Sequence, residues 1–189
     1  TTSCINGPAT VGACYLAIAT GDESYYEKAK SVFEAWRNTE WCITEGDDAG
    51  HVWDSPGNGW CSTYNQGTFI GAATMLYEKY GTQQYYDDAC NAVKAVYRYL
   101  CNGNILKEEN TNSGDLSGMR GILMRYMRKF IVDFNKGEYL SFFKDNTKIA
   151  WMNRNSQGIM QCSWQKKAAE NADWDSFAAY NAISLMANV

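Results

Sequence analysis

Apolar residues recur along this chain at helical spacing, in segments separated by one glycine and a short polar turn. One such stripe has intervals of three and four residues and consists of Tyr25, Ala29, Val32 and Trp36. This periodicity is typical of an amphipathic α-helix. Gly21 follows the preceding apolar segment, where a glycine suits a left-handed helix cap. The pattern therefore predicts a helical hairpin whose second helix begins within about four residues of Gly21.

The hairpin pattern repeats at an offset of 60 residues. Gly7 corresponds to Gly67, and Gly21 corresponds to Gly81. A weaker third copy begins at Arg120. A fixed long period indicates repeated supersecondary units, so the sequence predicts three successive helical hairpins.

A last apolar segment extends the count beyond the three hairpins. It predicts a helix from about Asp173 to Ala187, with Asp173 as the N-cap. No segment has the length and alternation of a convincing long strand. The predicted fold is therefore all-α, with seven helices.

Three long connections join the predicted units, over residues 38–63, 101–115 and 153–172. In a stack of hairpins, the turns within units lie on one rim and the long connections on the other. Long loops that are rich in aromatic and acidic residues often carry function. The notable side chains of these connections are Trp41, Trp53, Trp60, Trp164, Asp54 and Asp115.

A polar residue followed by glycine begins the first helix of each unit. The three pairs are Asn6-Gly7, Gln66-Gly67 and Arg120-Gly121. One interpretation is capping with close helix packing, since glycine lets backbones approach. The other is a polar ring around a cleft, because amide and guanidinium groups can bind sugar hydroxyls.

Composition and charge exclude several classes of protein. The 189 residues are enough for one sizeable domain or for part of a larger one. A net charge of −4 argues against a protein that tracks nucleic-acid phosphates. His51 is the sole histidine, which argues against histidine triads and multi-histidine zinc sites. No apolar run approaches the ~18 residues of a membrane helix, and no signal peptide is visible. The chain begins at Thr1, so we expect a processed, trimmed or partial chain.

The seven cysteines show no CxxC spacing. Cys14 and Cys90 lie in helical patterns, where cysteine commonly acts as a small buried apolar residue. Cys42 and Cys61 share a connection and are the candidates for a single disulfide bond.

Aromatic side chains, amides and carboxylates together suggest a carbohydrate site, since sugars present apolar faces and many hydroxyls. We assign Trp36 and Trp174 to the core, because they lie at helical spacing. The adjacent carboxylates of 47–48 are interpreted as a solvated turn, and those of 87–88 as anions near a helix N-terminus. His51 is interpreted as a surface or capping residue.

Four segments carry recognisable motifs. Residues 62–81 read STYNQGTFIGAATMLYEKYG, and residues 114–127 read GDLSGMRGILMRYM. Residues 5–29 combine an NG helix with a TGD hairpin, and residues 149–155 read IAWMNRN. These segments resemble the TYNQG helix, the GD-containing stretch, the NG helix with its hairpin and the AW-N-R stretch of glycoside hydrolase family 76, which comprises endo-α-1,6-mannanases and related fungal cell-wall transglycosidases.

The resemblance implies an (α/α)6 toroid of six hairpins. At about 60 residues per unit such a ring needs roughly 360 residues, about twice this length. We therefore expect residues 1–189 to form the C-terminal half of the domain, about half of the ring, with an N-terminal half that is absent from this chain. The family's adjacent catalytic aspartates, followed by a tryptophan-rich helix, have no matching segment here, so no catalytic residue is assigned.

The resemblance does imply a set of residues in the substrate cleft, which hydrogen-bond mannose hydroxyls or orient the catalytic pair. The set comprises Asp54, Tyr64, Asn65, Gln66, Asp115 and Arg120, with Asn6 and Trp151 as weaker members.

The implied activity is endo-acting, retaining hydrolysis of α-1,6-linked mannan by the intact protein, with no cofactor and no metal. The expected partner is mannan or another α-mannoside polysaccharide. Nucleic acid is not expected as a partner, and no membrane-spanning segment is expected. The missing half or a second copy is a further expected partner. Family members act outside the cytoplasm, which implies a secreted, periplasmic or cell-surface location. The alternatives are a non-catalytic glycan-binding module, a structural subunit or an inactive fragment; this chain alone is expected to be inactive.

Overall fold

The computed structural model describes residues 2–108, 114–171 and 176–189, and the backbone but not the side chain of Asp115. The chain divides into two compact units, Thr1–Tyr99 and Leu100–Val189. Each unit is built almost entirely from helices.

The first unit consists of two helical hairpins. Its helices are α1 (Ser3–Thr20), α2 (Ser24–Arg37), α3 (Thr63–Tyr80) and α4 (Gln83–Ala95), the last continued by a π-helical turn at Val96–Leu100. Gly21 and Gly81 end α1 and α3 with φ of 72° and 66°, a region that glycine enters without steric cost. The predicted hairpins and their glycine caps are thereby confirmed.

Close packing explains the repeated glycine at the start of α1. A Cβ atom on Gly7 would overlap the side chain of Thr68 on α3 and lie 3.2 Å from the ring of Trp36. Trp36 is 1% exposed, as expected for a core residue, and its ring packs edge-on against Phe69. An ion pair joins the second helices of the two hairpins, since the Arg37 guanidinium donates to both carboxylate oxygens of the buried Asp88 at 2.6 and 3.0 Å.

The second unit begins with a short antiparallel hairpin, in which Cys101 pairs with Leu106. Its elements are β1 (Cys101–Asn102), β2 (Ile105–Leu106), a 3₁₀ turn (Asp115–Gly118), α5 (Met119–Asp133), a 3₁₀ turn (Gly137–Tyr139), α6 (Leu140–Met152) and α7 (Ser176–Ala187). The two-residue strands were not expected from the sequence. They are held by Asn146 of α6, which accepts from the Leu106 amide at 3.1 Å and donates to the Asn104 carbonyl at 2.7 Å.

Helices α5 and α7 approach closely at a second glycine. A Cβ atom on Gly121 would lie 2.5 Å from the Tyr180 ring. The Gly121 amide donates to Asn181 Oδ1 at 2.6 Å, and Ser184 Oγ donates to the Gly121 carbonyl at 2.8 Å. Gly7 at the start of α1 and Gly121 at the start of α5 therefore both serve close helix packing.

The all-α class and the count of seven helices are confirmed within the described residues. The proposed N-cap Asp173 and the proposed core residue Trp174 lie outside them. In the part of the chain that the structure describes, no helix has the length and apolar character needed to cross a membrane.

The disulfide considered for Cys42 and Cys61 is wrong, because no disulfide bond joins them in the described residues. Cys42 is buried, and this burial raises the pKa of its thiol to about 12, so the thiol stays protonated. The Cys61 thiol instead donates to Gln66 Oε1 at 3.6 Å.

One face of α1 carries large apolar side chains in contact with solvent. Ile5, Tyr15, Leu16 and Ile18 are 46–61% exposed, and a Cβ added to Gly12 on this helix would meet nothing within 4 Å. A helix that is apolar all round is usually buried on all sides. Within residues 2–99, no element covers this face of α1.

Candidate functional site

The connection over residues 38–63 folds back onto the N-termini of α1 and α3. Short backbone bonds run between its two arms, with the Trp53 amide donating to the Trp41 carbonyl at 2.8 Å. The Ser3 amide of α1 donates to the Asp54 carbonyl at 2.8 Å, and Ser3 Oγ donates to the Trp53 carbonyl at 2.5 Å. The start of α1 therefore fixes the position of Asp54. Ser3 gave no signal in the sequence, because its role depends on residues 50 positions away.

Gln66 pins the same connection to the helices from within. Its side chain is 0% exposed, and its Nε2 donates to the carbonyls of Gly50 and of Ala92, the latter at 3.0 Å. Its Oε1 accepts from the Val52 amide at 3.2 Å. The amide of Gln66 is thus used to hold the loop, and the direct sugar contact implied by the resemblance stays a prediction.

Asp54 and Asn65 form a polar pair at the start of α3. Ser62 caps this helix by accepting from the Asn65 amide at 3.0 Å, which leaves the Asn65 side chain free to donate to Asp54 Oδ1 at 3.1 Å. Asn65 is 1% exposed, and among the described residues no donor reaches its Oδ1. Asp54 is half-buried. The pair therefore provides an oriented carboxylate that can accept from hydroxyl groups, held by a buried amide.

Tyr64 and Asn6 lie beside this pair, at the α1 N-terminus. The half-buried Tyr64 hydroxyl donates to the Cys4 carbonyl at 3.4 Å. Burial and the neighbouring Cys4 raise the pKa of Tyr64, so the phenol stays protonated near neutral pH. Asn6 Nδ2 donates to the Thr2 carbonyl at 3.1 Å. The structure thus brings Asp54, Tyr64, Asn65 and the start of α1 together.

Trp60 is the most exposed tryptophan of this connection, at 40%. Its carbonyl accepts from the Asp54 amide at 3.1 Å, so the exposed indole is carried on backbone joined directly to Asp54. Trp53 is half-buried and donates through Nε1 to His51 Nδ1 at 3.3 Å. The backbone bond thus joins an exposed aromatic residue to the residue that carries the carboxylate.

His51 packs inside the same loop. Its ring stacks on Tyr99 of the π-helical turn, with centroids 3.9 Å apart. Burial lowers the pKa of His51, and Asp48 opposes this effect only in part. In place of the expected surface or capping role, the His51 ring stacks on the π-helical turn that continues α4.

We predict that the His51 ring titrates below its usual pKa of about 6.5, because the loop favours the neutral imidazole. Stability from this group is then complete above pH ~6.5 and decreases as the pH falls through and below that value. NMR titration of the imidazole C–H signal, identified by its absence in His51→Asn, checks this. A pKa at or above 6.5 would contradict it, as would equal acid sensitivity of the melting temperature in the variant.

In the second unit, Arg120 is 2% exposed. Its Nη2 donates to the Lys107 carbonyl at 2.5 Å, and its guanidinium lies 5.2 Å from the centre of the buried Trp164 ring. Gln165 Nε2 donates to the Leu106 carbonyl at 2.6 Å. Arg120 therefore joins α5 to the adjoining loops, and its contact with substrate stays a prediction.

The remaining residues implied by the resemblance are placed less completely. Asp115 begins the 3₁₀ turn before α5, and its side chain lies outside the described part. Trp151 at the end of α6 is 53% exposed. Within the first unit, the structure brings together Asn6, Asp54, Tyr64, Asn65 and Gln66 of the implied set.

The two adjacent aspartate pairs have structural contacts. Asp48 accepts from the Tyr99 hydroxyl and from Arg98 Nη1, the latter at 3.3 Å; these bonds, that to Tyr99 foremost, lower the pKa of Asp48. Asp88 is paired with Arg37. The interpretation of 47–48 as part of a solvated turn agrees with the exposure of both residues, whereas Asp88 is held by an ion pair in addition to its place near a helix N-terminus.

Helical hairpins with an aromatic and carboxylate-bearing loop over their ends define an all-α protein with a polar site at the helix N-termini. The chain belongs to glycosyl hydrolase family 76, whose family model matches residues 1–189. No curated protein gives a significant match.

Solved structures of this family superpose on nearly the whole chain. The GH76A α-1,6-mannanase from Salegentibacter sp. HEL1_6 is 28% identical with a TM-score of 0.85, over 98% of this chain and 58% of that one. An inactive variant of that enzyme, with two successive aspartates changed to asparagine, was solved with α-1,6-mannotriose and has a TM-score of 0.86. Lin0763 from Listeria innocua, at 22% identity and a TM-score of 0.84, shares the fold. The neighbours are (α/α)6 toroids, and this chain spans a little over half of their length.

Proposed function

We propose that the intact protein is a glycoside hydrolase that acts within α-1,6-linked mannan, and that residues 1–189 supply part of its substrate cleft. The observation that carries the proposal is the family match over the whole chain together with the Asp54–Asn65 pair at the start of α3. Its nearest support on substrate is the mannanase neighbour at 28% identity. A secreted, periplasmic or cell-surface location belongs to the same proposal.

In this proposal the implied residues divide into two roles. Asp54 and Tyr64 bind sugar hydroxyls, because both are partly exposed at the N-terminal end of α3. Asn65 is buried and orients the Asp54 carboxylate. Gln66 and Arg120 act as positioning residues, because both are buried and bonded to loop carbonyls. Asn6, Asp115 and Trp151 supply further contacts along the cleft.

Retaining hydrolysis needs two carboxylates about 5 Å apart, one as nucleophile and one as acid and then base. We assign neither role within residues 1–189. Asp54 accepts a hydrogen bond from a hydroxyl of the sugar and so holds the ring in position for attack. This hydrogen bond strengthens in the transition state, where the sugar ring is distorted.

We further propose that residues 1–189 form the C-terminal half of the family domain. The exposed apolar face of α1 supports this, since helices from the remaining length of such a domain would cover it. The alternative function is a non-catalytic glycan-binding module, which the aromatic and amide groups of the site would equally serve.

The proposal predicts that Asp54→Asn in the intact protein lowers kcat/KM on α-1,6-mannan by about 10- to 100-fold, the loss expected for a hydrogen bond to a charged group. Release of reducing ends is the measurement, and NMR of the first product gives its anomeric configuration. Asp47→Asn is the matched control, since Asp47 is an exposed carboxylate of the same connection.

Equal activity of Asp54→Asn and wild type would contradict the assigned role of Asp54. Binding of mannotriose without any hydrolysis would favour the binding-module alternative. An inverted product would contradict the retaining mechanism.

A further inference from the structure

Three asparagines of this chain, Asn6, Asn58 and Asn102, are each followed by glycine. In such a dipeptide the glycine amide can attack the side-chain carboxamide of the asparagine, because glycine has no side chain to obstruct the approach. The structure places the three dipeptides in α1, in the connection over residues 38–63, and in the short β-hairpin. Their surroundings differ in the groups that this reaction needs.

Asn58 ends a tight, exposed turn that leads to Trp60. Ser55 and Asn58 form an isolated antiparallel bridge, in which the Asn58 amide donates to the Ser55 carbonyl at 3.0 Å. Gly57, within this turn, has φ of 70°. Asn58 and Gly59 are both exposed, so water and hydroxide reach the peptide bond between them.

The Asn58 side chain is folded over the peptide that follows it. Its Oδ1 accepts from the Trp60 amide at 3.3 Å. The ring of atoms that this bond closes includes the Gly59 nitrogen, so Cγ is held beside that nitrogen. The Trp60 N–H also faces the oxygen on which negative charge develops during an attack on Cγ, and a donor placed in this way stabilises that charge.

The Gly59 amide is the nucleophile that the turn presents. Among the described residues it donates to no acceptor. A Cβ atom on Gly59 would make only ordinary contacts, at 3.7 and 3.9 Å from the Trp53 ring, and the φ of Gly59 lies outside the left-handed region. Alanine therefore fits at this position without strain, which provides a variant that changes the access to the amide and little else.

The other two dipeptides lack this combination. Asn6 lies within α1 and donates through Nδ2 to the Thr2 carbonyl at 3.1 Å; ring closure there would break the helical hydrogen bonds around it. Asn102 is exposed but pairs with Ile105 in the β-hairpin, and no donor in the described part of the chain reaches its side-chain oxygen. Both serve as internal references.

We propose that Asn58 is a site of spontaneous deamidation, in which the Gly59 nitrogen attacks Asn58 Cγ. Hydroxide removes the proton of the Gly59 amide, and the bond from nitrogen to Cγ forms. The bond from Cγ to Nδ2 then breaks as Nδ2 takes a proton from water and leaves as ammonia, which restores the hydroxide. Water adds to either carbonyl carbon of the resulting succinimide and breaks its bond to nitrogen, which leaves aspartate or isoaspartate at position 58.

The modification alters the loop that carries Asp54. The Asp54 amide donates to the Trp60 carbonyl at 3.1 Å, and the Trp60 amide is the group that Asn58 binds. Isoaspartate lengthens the main chain at this point and adds a carboxylate. We expect kcat/KM on α-1,6-mannan to fall by about 2- to 10-fold, as for the loss of one neutral hydrogen bond. This effect rests on the proposed function, whereas the modification itself rests on the geometry of the turn.

The test incubates the intact protein at mildly alkaline pH and follows each dipeptide by peptide mapping with mass spectrometry. The peptide that contains Asn58 is expected to lose ammonia and then gain water, ahead of the peptide that contains Asn102, while the Asn6 peptide stays unchanged. Gly59→Ala is the matched control and should stay unmodified while wild type converts. In urea-denatured protein the three dipeptides should convert at comparable rates.

The outcomes separate the modification from the proposed function. Conversion of Asn102 ahead of Asn58, equal rates in wild type and Gly59→Ala, or the same order of rates in folded and denatured protein would overturn the proposal. Conversion of Asn58 with undiminished mannan hydrolysis would confirm the modification and overturn its effect on the loop. Fresh protein that hydrolyses no mannan would refute the proposed function, and the mass change would still decide the modification.

Discussion

Replacement of Gly50 by alanine is expected to lower the free energy of unfolding by about 2–6 kcal/mol. Gly50 has φ of 89°, and a Cβ atom there would overlap the backbone of Asn91 and Ala92 on α4. Backbone strain and steric overlap each cost about 1–3 kcal/mol. The connection that carries Asp54 would have to move away from α4, which would also break the bond from Gln66 to the Gly50 carbonyl.

Gly57→Ala is the control for this prediction. Gly57 has φ of 70° in the same connection, but an added Cβ would meet nothing within 4 Å. The free energy of unfolding of Gly57→Ala should therefore fall only by the backbone strain, about 1–2 kcal/mol. Urea unfolding of both variants measures the difference. Equal losses would show that the close approach to α4 does not hold the loop.

Residues 1–189 produced alone are expected to self-associate and to hydrolyse no α-1,6-mannan. The α1 face with Leu16 and Ile18 is open, and full burial of one such side chain contributes about 1.5–3 kcal/mol. Several of them together favour dimers or aggregates. Light scattering and release of reducing ends are the measurements. A stable monomer would contradict the proposed covering of this face, and hydrolysis would show that catalytic carboxylates lie within this chain.

Leu16→Asp tests whether the apolar face of α1 is exposed to water in residues 1–189 alone and covered in a longer protein. In residues 1–189 alone, the charge should reduce self-association, because it meets water. In a longer protein whose further helices cover α1, the same change should destabilise strongly, because it buries an unpaired charge. Ser31→Asp, at an exposed position of α2, is the matched control and should have little effect in either form. Equal effects of the two substitutions in the longer protein would show that α1 is not covered there.

Local patterns were enough to predict the hairpins. The apolar stripe that includes Trp36, and the caps at Gly21 and Gly81, depend on neighbours within a few turns of the same helix. The 60-residue repeat carries the same information twice, with a weaker third copy from Arg120. These features were predicted because helix period and cap geometry are properties of adjacent residues.

The site was predicted in part. Asp54 and Asn65 were named from motif resemblance, and the structure brings them to 3.1 Å. The same motif places Gln66 one residue later, where it is as buried as Asn65 but donates to the carbonyls of Gly50 and Ala92. Helical neighbours differ by about 100° in direction, so the motif alone does not separate a side chain that orients Asp54 from one that holds the loop.

The sequence by itself determined the all-α class, the hairpin repeat, the glycine caps and the family, because each depends on local spacing or on a short motif. Only the tertiary structure decided that Cys42 and Cys61 form no disulfide bond, that Ser3 holds Asp54, and that Asn155 binds the Ala169 carbonyl. These contacts join residues about 14 to 50 positions apart. Their formation depends on the path by which the long connections fold back onto the helix ends, and no local pattern encodes that path.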